Sequence, residues 1–552
     1  MVNPVLTKKK EANLTLRPRA KELFRAVHLE QGKEEDTSDR VPRIKVSELI
    51  SKMSFYYEKI RNAVDYKDEH LLRKNAIERI LKRQIVIEGV IPIKKLNRRE
   101  IAKNLIIELI RATYLPNNEL PESKIDDIQA IVDKYLALKA EFLGLHPENK
   151  DKSEHINWLI ALAASEIEEK LGRNQVDNTI IQYMYELLVA NIELPENSKY
   201  REDKEIQIFV GIHRNYFKFD YDMISFLLFK YYNGEWQDPS QEDIRRIAKN
   251  IESLHEAVKA QADHPLSFQL DRIIKTYTVY FTILNEVLEE GPREVYHNIK
   301  TDPTAFTRQI KRMCERKYKI SRSKLWRAAI RSIVYIFITK SVFAVILEVP
   351  ATQWFGEELN MFALGVNIAF PAILLFLIVM FTRLPSEENT KKIVDGIHEI
   401  VFEENKRREP FRLRPPAKRG SILSAIFTVL YIGTFMASVY GIVVLLQSIG
   451  FTFVSIVIFL FFLALVSFFG IRIKRIAREY IMVEPRESIF GLLLDFFYIP
   501  IVSFGKWLSE NFSRVNVFVF VLDFIIEAPF KIFVEIAEEW TKYVRERKEE
   551  IY

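Results

Sequence analysis

One lysine interrupts a long apolar run in this 552-residue chain, and its placement has chemical consequences. Lys340 stands near the middle of IRSIVYIFITKSVFAVILEV, residues 330–349. If that run crosses a bilayer, a central ammonium costs about 2.5–3.5 kcal/mol on insertion scales. Such a charge needs a carboxylate, a wet cavity or a route to the interface. Glu348 follows two turns later and reads as lying on the same helix face. Two roles fit Lys340: an ion or proton site, or a structural lysine that snorkels or fixes helix register.

A second polar feature follows in MFALGVNIAFPAILLFLIVMF, residues 361–381, where Asn367 and Pro371 stand one turn apart. Proline removes a backbone donor and frees a carbonyl at the level of Asn367. Transporters bind ions at such breaks, and packed kinks use the same residues. Three acids near the C-terminus, Asp495, Asp523 and Glu527, are candidates to meet Lys340. Asp523, Glu527, Lys531 and Glu535 recur at steps of four and line one face of a helix.

Other chemistries lack support. Glycine is scarce, 17 residues, and neither a phosphate-binding loop nor a dinucleotide fingerprint occurs, so no cofactor is expected. The single cysteine, Cys314, excludes an intrachain disulfide and reads as a structural thiol. Nine histidines are scattered without the i, i+3 or i, i+4 pairing of a zinc helix, so no metal is expected. Asp220-Tyr-Asp222 resembles a metal-binding pattern but directly precedes MISFLLFKYY, where acids complement a helix N-terminus. Trp354, Trp507 and Trp540 fall near expected membrane interfaces.

The elements that must carry Lys340 and Asn367 are four runs long enough to cross about 30 Å of hydrocarbon. They cover 330–349, 361–381, 422–446 and 451–471. Lys and Arg number nine in 311–331, none in 350–360, ten in 382–421, none in 447–450 and five in 472–486. This alternation places the N-terminus, the central loop 382–421 and the C-terminus in the cytoplasm of a multi-pass cell-membrane protein. In the third span Gly433, Ala437 and Gly441 share a face and predict close helix packing. The short turn after it makes the fourth span its antiparallel neighbour. Residues 488–540 read as amphipathic interfacial helices, with a re-entrant hairpin as the alternative, before a charged tail at 541–552.

Residues 1–43 read as a flexible charged tail and 44–310 as cytoplasmic α-helical structure leading to a basic juxtamembrane helix, 311–331. Capping-box patterns occur at Asn97/Glu100, Ser123/Asp126 and Ser240/Asp243. The run 85–91, IVIEGVI, is compatible with an isolated strand. The predicted fold is therefore all-α: a polytopic helical bundle of about four spans in two hairpins after a large soluble helical region. The net charge of +6 is concentrated beside the apolar runs, which favours a bilayer over nucleic acid as the partner. A membrane anchor presenting its cytoplasmic part to a protein partner or to a second copy is the leading expectation. An ion or small-solute transporter or channel built on Lys340 and the C-terminal acids is the alternative, and a membrane-bound enzyme has no supporting motif.

Overall fold

A computed structural model describes residues 15–35, 42–46, 58, 68–90, 98–147, 152–172, 174–358, 360–382, 385–405, 407–414, 421–482 and 489–514, with scattered residues between 536 and 548. It is all-α apart from one two-residue strand pair. The chain divides into two compact units. One comprises Met1–Thr282, Ile400–Pro416 and Val517–Tyr552, and the other Ile283–Glu399 and Ala417–Asn516.

The first unit begins with a helix inside the region expected to be a flexible tail. α1 (Pro18–Glu35) buries Ala20, Leu23, Phe24 and Val27, the i, i+3, i+4, i+7 stripe of an amphipathic helix. The many charges around that stripe hide it from a reading based on composition. α2 (Glu69–Val90) carries the helical stripe Ile77, Ile80, Leu81 onward, so the backbone of 85–90 is helical and the expected strand does not form. α3 (Arg98–Arg111), α4 (Ser123–Leu145), α5 (Lys152–Gly172), α6 (Gln175–Asn191), α7 (Lys204–Asn215), α8 (Tyr221–Tyr232), α9 (Gln241–Lys249) and α10 (Ile251–Ala262) follow. A continuous core containing Leu105, Ile128, Phe142, Leu162, Phe229 and Trp236 joins α2–α5 to α7–α10.

Helix starts divide by chemistry. Ser240 and Asp243 form the expected reciprocal box on α9, and Asn174 with Asp177 forms another on α6. Ser123 and Asp126 do not. α4 opens through a turn in which Lys124 and Ile125 N–H groups donate to the Pro121 and Glu122 carbonyls, at 3.1 and 3.0 Å, and Glu122 caps without a side-chain bond. Asp220 caps α8 by accepting from the Met223 N–H, 3.1 Å. Both Asp220 and Asp222 also hold the buried ammonium of Lys74, at 2.9 and 2.5 Å. The aspartate pair thus serves a lysine and a helix end.

The segment expected to be a loop at 382–421 is structured. It contains α16 (Glu387–Val401), numbered in chain order with the elements below, and then contributes a clasp to the first unit. β1 (Ile192–Glu193) pairs in parallel with β2 (Phe411–Arg412), Ile192 opposite Phe411. The Leu413 N–H donates to the Glu193 carbonyl, 2.9 Å, and the Glu403 N–H to that of Thr15, 2.9 Å. The Tyr183 hydroxyl donates to the Ile400 carbonyl. Buried Phe402 and Leu413 add apolar contact.

The second unit takes in the end of α11 (Ser267–Glu290), then α12 (Pro292–Thr301), α13 (Pro303–Phe343), a π-helical turn (Ala344–Glu348), α14 (Val349–Trp354), α15 (Met361–Met380), α17 (Ser421–Ser448), α18 (Phe453–Ala477) and α19 (Ile489–Arg514). Among the described residues four helices are long and apolar enough to cross a membrane: Thr304–Trp354, Met361–Met380, Ile422–Ser448 and Phe453–Arg475. The first, at 1.5 Å per residue, is about 76 Å long, so only part of it can lie in hydrocarbon. Its C-terminal half has the burial of a lipid-facing helix. Val334, Phe337, Ile338, Val342, Val345 and Ile346 are exposed, whereas Lys340 and Glu348 are buried. Water would favour the reverse.

α13, α15 and α18 pack together through Leu325, Ala329, Leu375, Val379, Val466 and Ile473. α17 makes its main packing with α19 and a smaller one with α18. Gly433, Ala437 and Gly441 are all exposed, and a Cβ built on either glycine meets nothing within 4 Å. Their spacing defines a face, and no neighbour among the described residues occupies it. α17 uses Phe435 and Ser438 instead: the Ser438 hydroxyl donates to the Phe497 carbonyl, 3.1 Å, and Phe435 lies 5.9 Å from Phe504 between ring centroids. α19 is a single 26-residue helix packed on α17 and α18, not a helix standing apart from the spans.

Candidate functional site

Lys340 and Glu348 are eight residues apart. In a regular α-helix that separation leaves them about 80° out of line. Residues Ala344–Glu348 instead form a π turn, in which the Val349 N–H donates to the Ala344 carbonyl. Each such turn holds an extra residue and takes back much of the angular offset. The next residue, Pro350, has no N–H, so a regular ladder cannot resume there. The π turn therefore lets the two charges face the same interior.

The Lys340 Nζ lies 3.4 Å from Glu348 Oε2 and 4.4 Å from the centroid of the Phe462 ring, a cation–π arrangement. Glu348 Oε1 accepts from Asn367 Nδ2 at 2.5 Å and from the Ser455 hydroxyl at 2.8 Å. Asn367 Nδ2 also donates to the Ser455 carbonyl, 3.3 Å, while its Oδ1 is buried without a partner. The Thr352 hydroxyl donates to the Glu348 carbonyl, 2.8 Å. Lys340 and Asn367 are fully buried and Glu348 is 1% exposed. Burial at this level is tolerable only because the ammonium meets a carboxylate and the carboxylate meets donors on both oxygens.

Four elements hold this arrangement: α13, the π turn, α15 and the first turn of α18. Thr452 caps α18 by accepting from the Ser455 N–H, 3.2 Å, and its hydroxyl donates to the Ser455 Oγ, 3.1 Å. Asn360 caps α15 by accepting from the N–H groups of Phe362 and Ala363. Gly450 passes close to the Asn360 side chain with a φ of +83°, and a Cβ there would sit 2.6 Å from Asn360 Nδ2. Only glycine meets both demands.

A small cleft of about 10 Å3, bounded by Glu348, Val349, Thr352, Asn360, Ala363, Leu364, Gly450, Thr452 and Ser455, has room for a water-sized occupant. Asn360 and Gly450 belong to the two inter-span connections that carry no Lys or Arg. Glu348 thus lines the cleft and, through Oε2, pairs with Lys340.

No protein-family model, curated protein or solved structure matches the chain.

Of the residues singled out by sequence, the structure joins Lys340 and Asn367 through Glu348. Asp495 is exposed on α19, outside this cluster. Asp523 and Glu527 lie outside the described residues. Ser455 was not legible, because a serine in a span carries no distinguishing signal. Glu348 carried one: the sole acid in the run that holds Lys340, two residues before a proline. Among the described residues no group of three or more His, Cys, Asp or Glu is placed to hold a metal ion. What the cluster can do is exchange a proton or pair transiently with a small cation at a single carboxylate.

In the first unit, burial lowers the pKa of His70, His255 and His264, and the neighbouring His155 lowers His255 further. The His155 and His255 Nδ1 atoms are 3.4 Å apart, and Trp158 stacks on the His255 ring at 4.3 Å. This is a packed aromatic contact between α5 and α10.

Proposed function

We propose that the chain is a multi-pass membrane protein that moves a proton or small cation, with Glu348 as the exchanging carboxylate and Lys340 as its internal counter-charge. The carrying observation is that Glu348 borders a hydroxyl-lined cleft while bonded to a lysine sealed behind it by Phe462. The cleft gives a charge access to the carboxylate from the end of the bundle lacking Lys and Arg. Lys340 neutralises the site when that charge has left. By the distribution of basic residues, that end faces outward, and the N-terminus, the 382–421 segment and the C-terminus face the cytoplasm.

The test is flux in proteoliposomes under a pH or cation gradient. The wild-type chain dissipates the gradient, and Glu348→Gln and Lys340→Leu, reconstituted at equal levels, do not. Preserved flux in both variants would remove the pair from the mechanism. Labelling that found Glu357 and Lys406 in one compartment would overturn the topology.

A second reading is that the helical first unit binds a protein partner or a second copy while the spans anchor it. Its support is the unit's own continuous core, containing Phe142, Phe229 and Trp236, and a mass larger than the spans need. Cross-linking of the full-length chain in membranes tests it: a chain that stays monomeric, retrieves nothing and carries flux ends this reading.

A further inference from the structure

α13 changes character along one stripe. Its N-terminal cations have carboxylates: Arg312 and Arg316 reach Glu290, at 3.5 and 2.5 Å, and Lys317 reaches Glu286. Beyond Glu315 no Asp or Glu occurs until Glu348. Lys324, Arg327 and Arg331 are all exposed and none has a carboxylate partner among the described residues; Arg327 and Arg331 bond only to carbonyls of their own helix. They stand at steps of three and four, so they occupy one face over two turns.

The same face continues as Tyr335, Ile338, Val342 and Val345, all exposed. At 1.5 Å per residue the stripe from Lys324 to Val345 is about 32 Å long. Its cationic part takes about 10 Å and its apolar part the rest. One leaflet of a bilayer, headgroup included, is about 20–22 Å deep. Measured from Arg327, in the middle of the cationic part, to Val342, the track is about 22 Å, the depth of a single lipid molecule lying along the helix.

We propose that this stripe binds an anionic phospholipid, with Lys324, Arg327 and Arg331 holding the phosphate-bearing headgroup and Tyr335, Ile338 and Val342 the acyl chain. Charge complementarity selects the occupant. A zwitterionic headgroup offers three cations no net charge, whereas phosphatidylglycerol supplies one negative charge at the right depth. Each cation near an anionic surface contributes a share of binding that salt screens.

The experiment is native mass spectrometry of the full-length chain in detergent, titrated with phosphatidylglycerol or phosphatidylcholine of matched acyl chains. Phosphatidylglycerol is retained preferentially, and Lys324→Gln/Arg327→Gln/Arg331→Gln weakens that retention about tenfold or more. Lys319→Gln/Arg322→Gln, which alters cations further from the apolar stripe, leaves most of it. Equal retention of both lipids by the wild type would overturn the proposal, as would an unaffected triple variant. Equally tight binding of glycerol phosphate or a short RNA would overturn it too, since the acyl stripe would then contribute nothing. If the triple variant does not fold, salt decides on the wild type: about 1 M salt displaces the lipid, and salt-insensitive retention rejects the site.

Discussion

Gly505 on α19 meets the carbonyl of Ala464 on α18 so closely that a Cβ there would lie 1.9 Å from the oxygen. The obstacle is backbone, which cannot swing aside as a side chain can. Gly505→Ala is therefore expected to destabilise the chain by about 1–3 kcal/mol or more, the range for forcing atoms into a packed contact. Thermal unfolding in detergent checks this. Gly433→Ala and Gly441→Ala, facing open space, serve as controls and leave the midpoint unchanged within error.

The Lys340–Glu348 pair predicts non-additive stability. Lys340→Leu leaves a buried carboxylate and Glu348→Leu a buried ammonium, each expected to cost about 3–5 kcal/mol. The double variant Lys340→Leu/Glu348→Leu removes both charges and should recover much of the loss. A cycle measured by thermal denaturation gives the coupling, and two simply additive losses would show that the charges do not interact.

Acid should weaken the first unit. Half-buried His70 and His255 and buried His264 are held below the usual value of 6.5 by desolvation, with His155 and Lys259 adding to the effect on His255 and Glu154 and Glu256 opposing it. A group with a depressed folded pKa stabilises the fold above its unfolded pKa, and that contribution is lost as pH falls through the folded value. Unfolding midpoints should thus drop between about pH 7 and pH 5, around the usual histidine value. His255→Gln should flatten the slope. A variant with the wild-type slope would assign the effect to other histidines.

A fragment ending at residue 310 should be markedly less stable than the same residues in the whole chain. It lacks Ile400, Phe402, Phe411 and Leu413, the partners of Tyr183, Leu16, Ile192 and Glu193 respectively. Limited proteolysis of the fragment, with and without a peptide covering residues 396–416, measures the difference. Protection that does not depend on the peptide would count against the clasp.

The spans and the isolation of Lys340 were legible because hydropathy and charge are local properties of sequence. Asn367 was legible through its proline. Glu348 was read as sharing the face of Lys340, although a regular helical period sets it about 80° away; the π turn, which sequence does not announce, brings it round. Asp495 looked equally eligible by charge, but which face of α19 packs depends on Gly505 and its neighbours. Gly433, Ala437 and Gly441 show the same limit: spacing identifies a face, and tertiary structure decides whether anything meets it. α1 failed for the opposite reason, its short apolar stripe being outnumbered by lysine, arginine and glutamate.

The strand pairing of Ile192 with Phe411 fixes an order of assembly. A ribosome has to synthesise two helices long and apolar enough to cross a membrane after Ile192 before it emits Phe411. Until then Ile192 and Tyr183 wait uncovered. The contact between Ile192 and Phe411 therefore waits on synthesis of both apolar helices that lie between them in the chain.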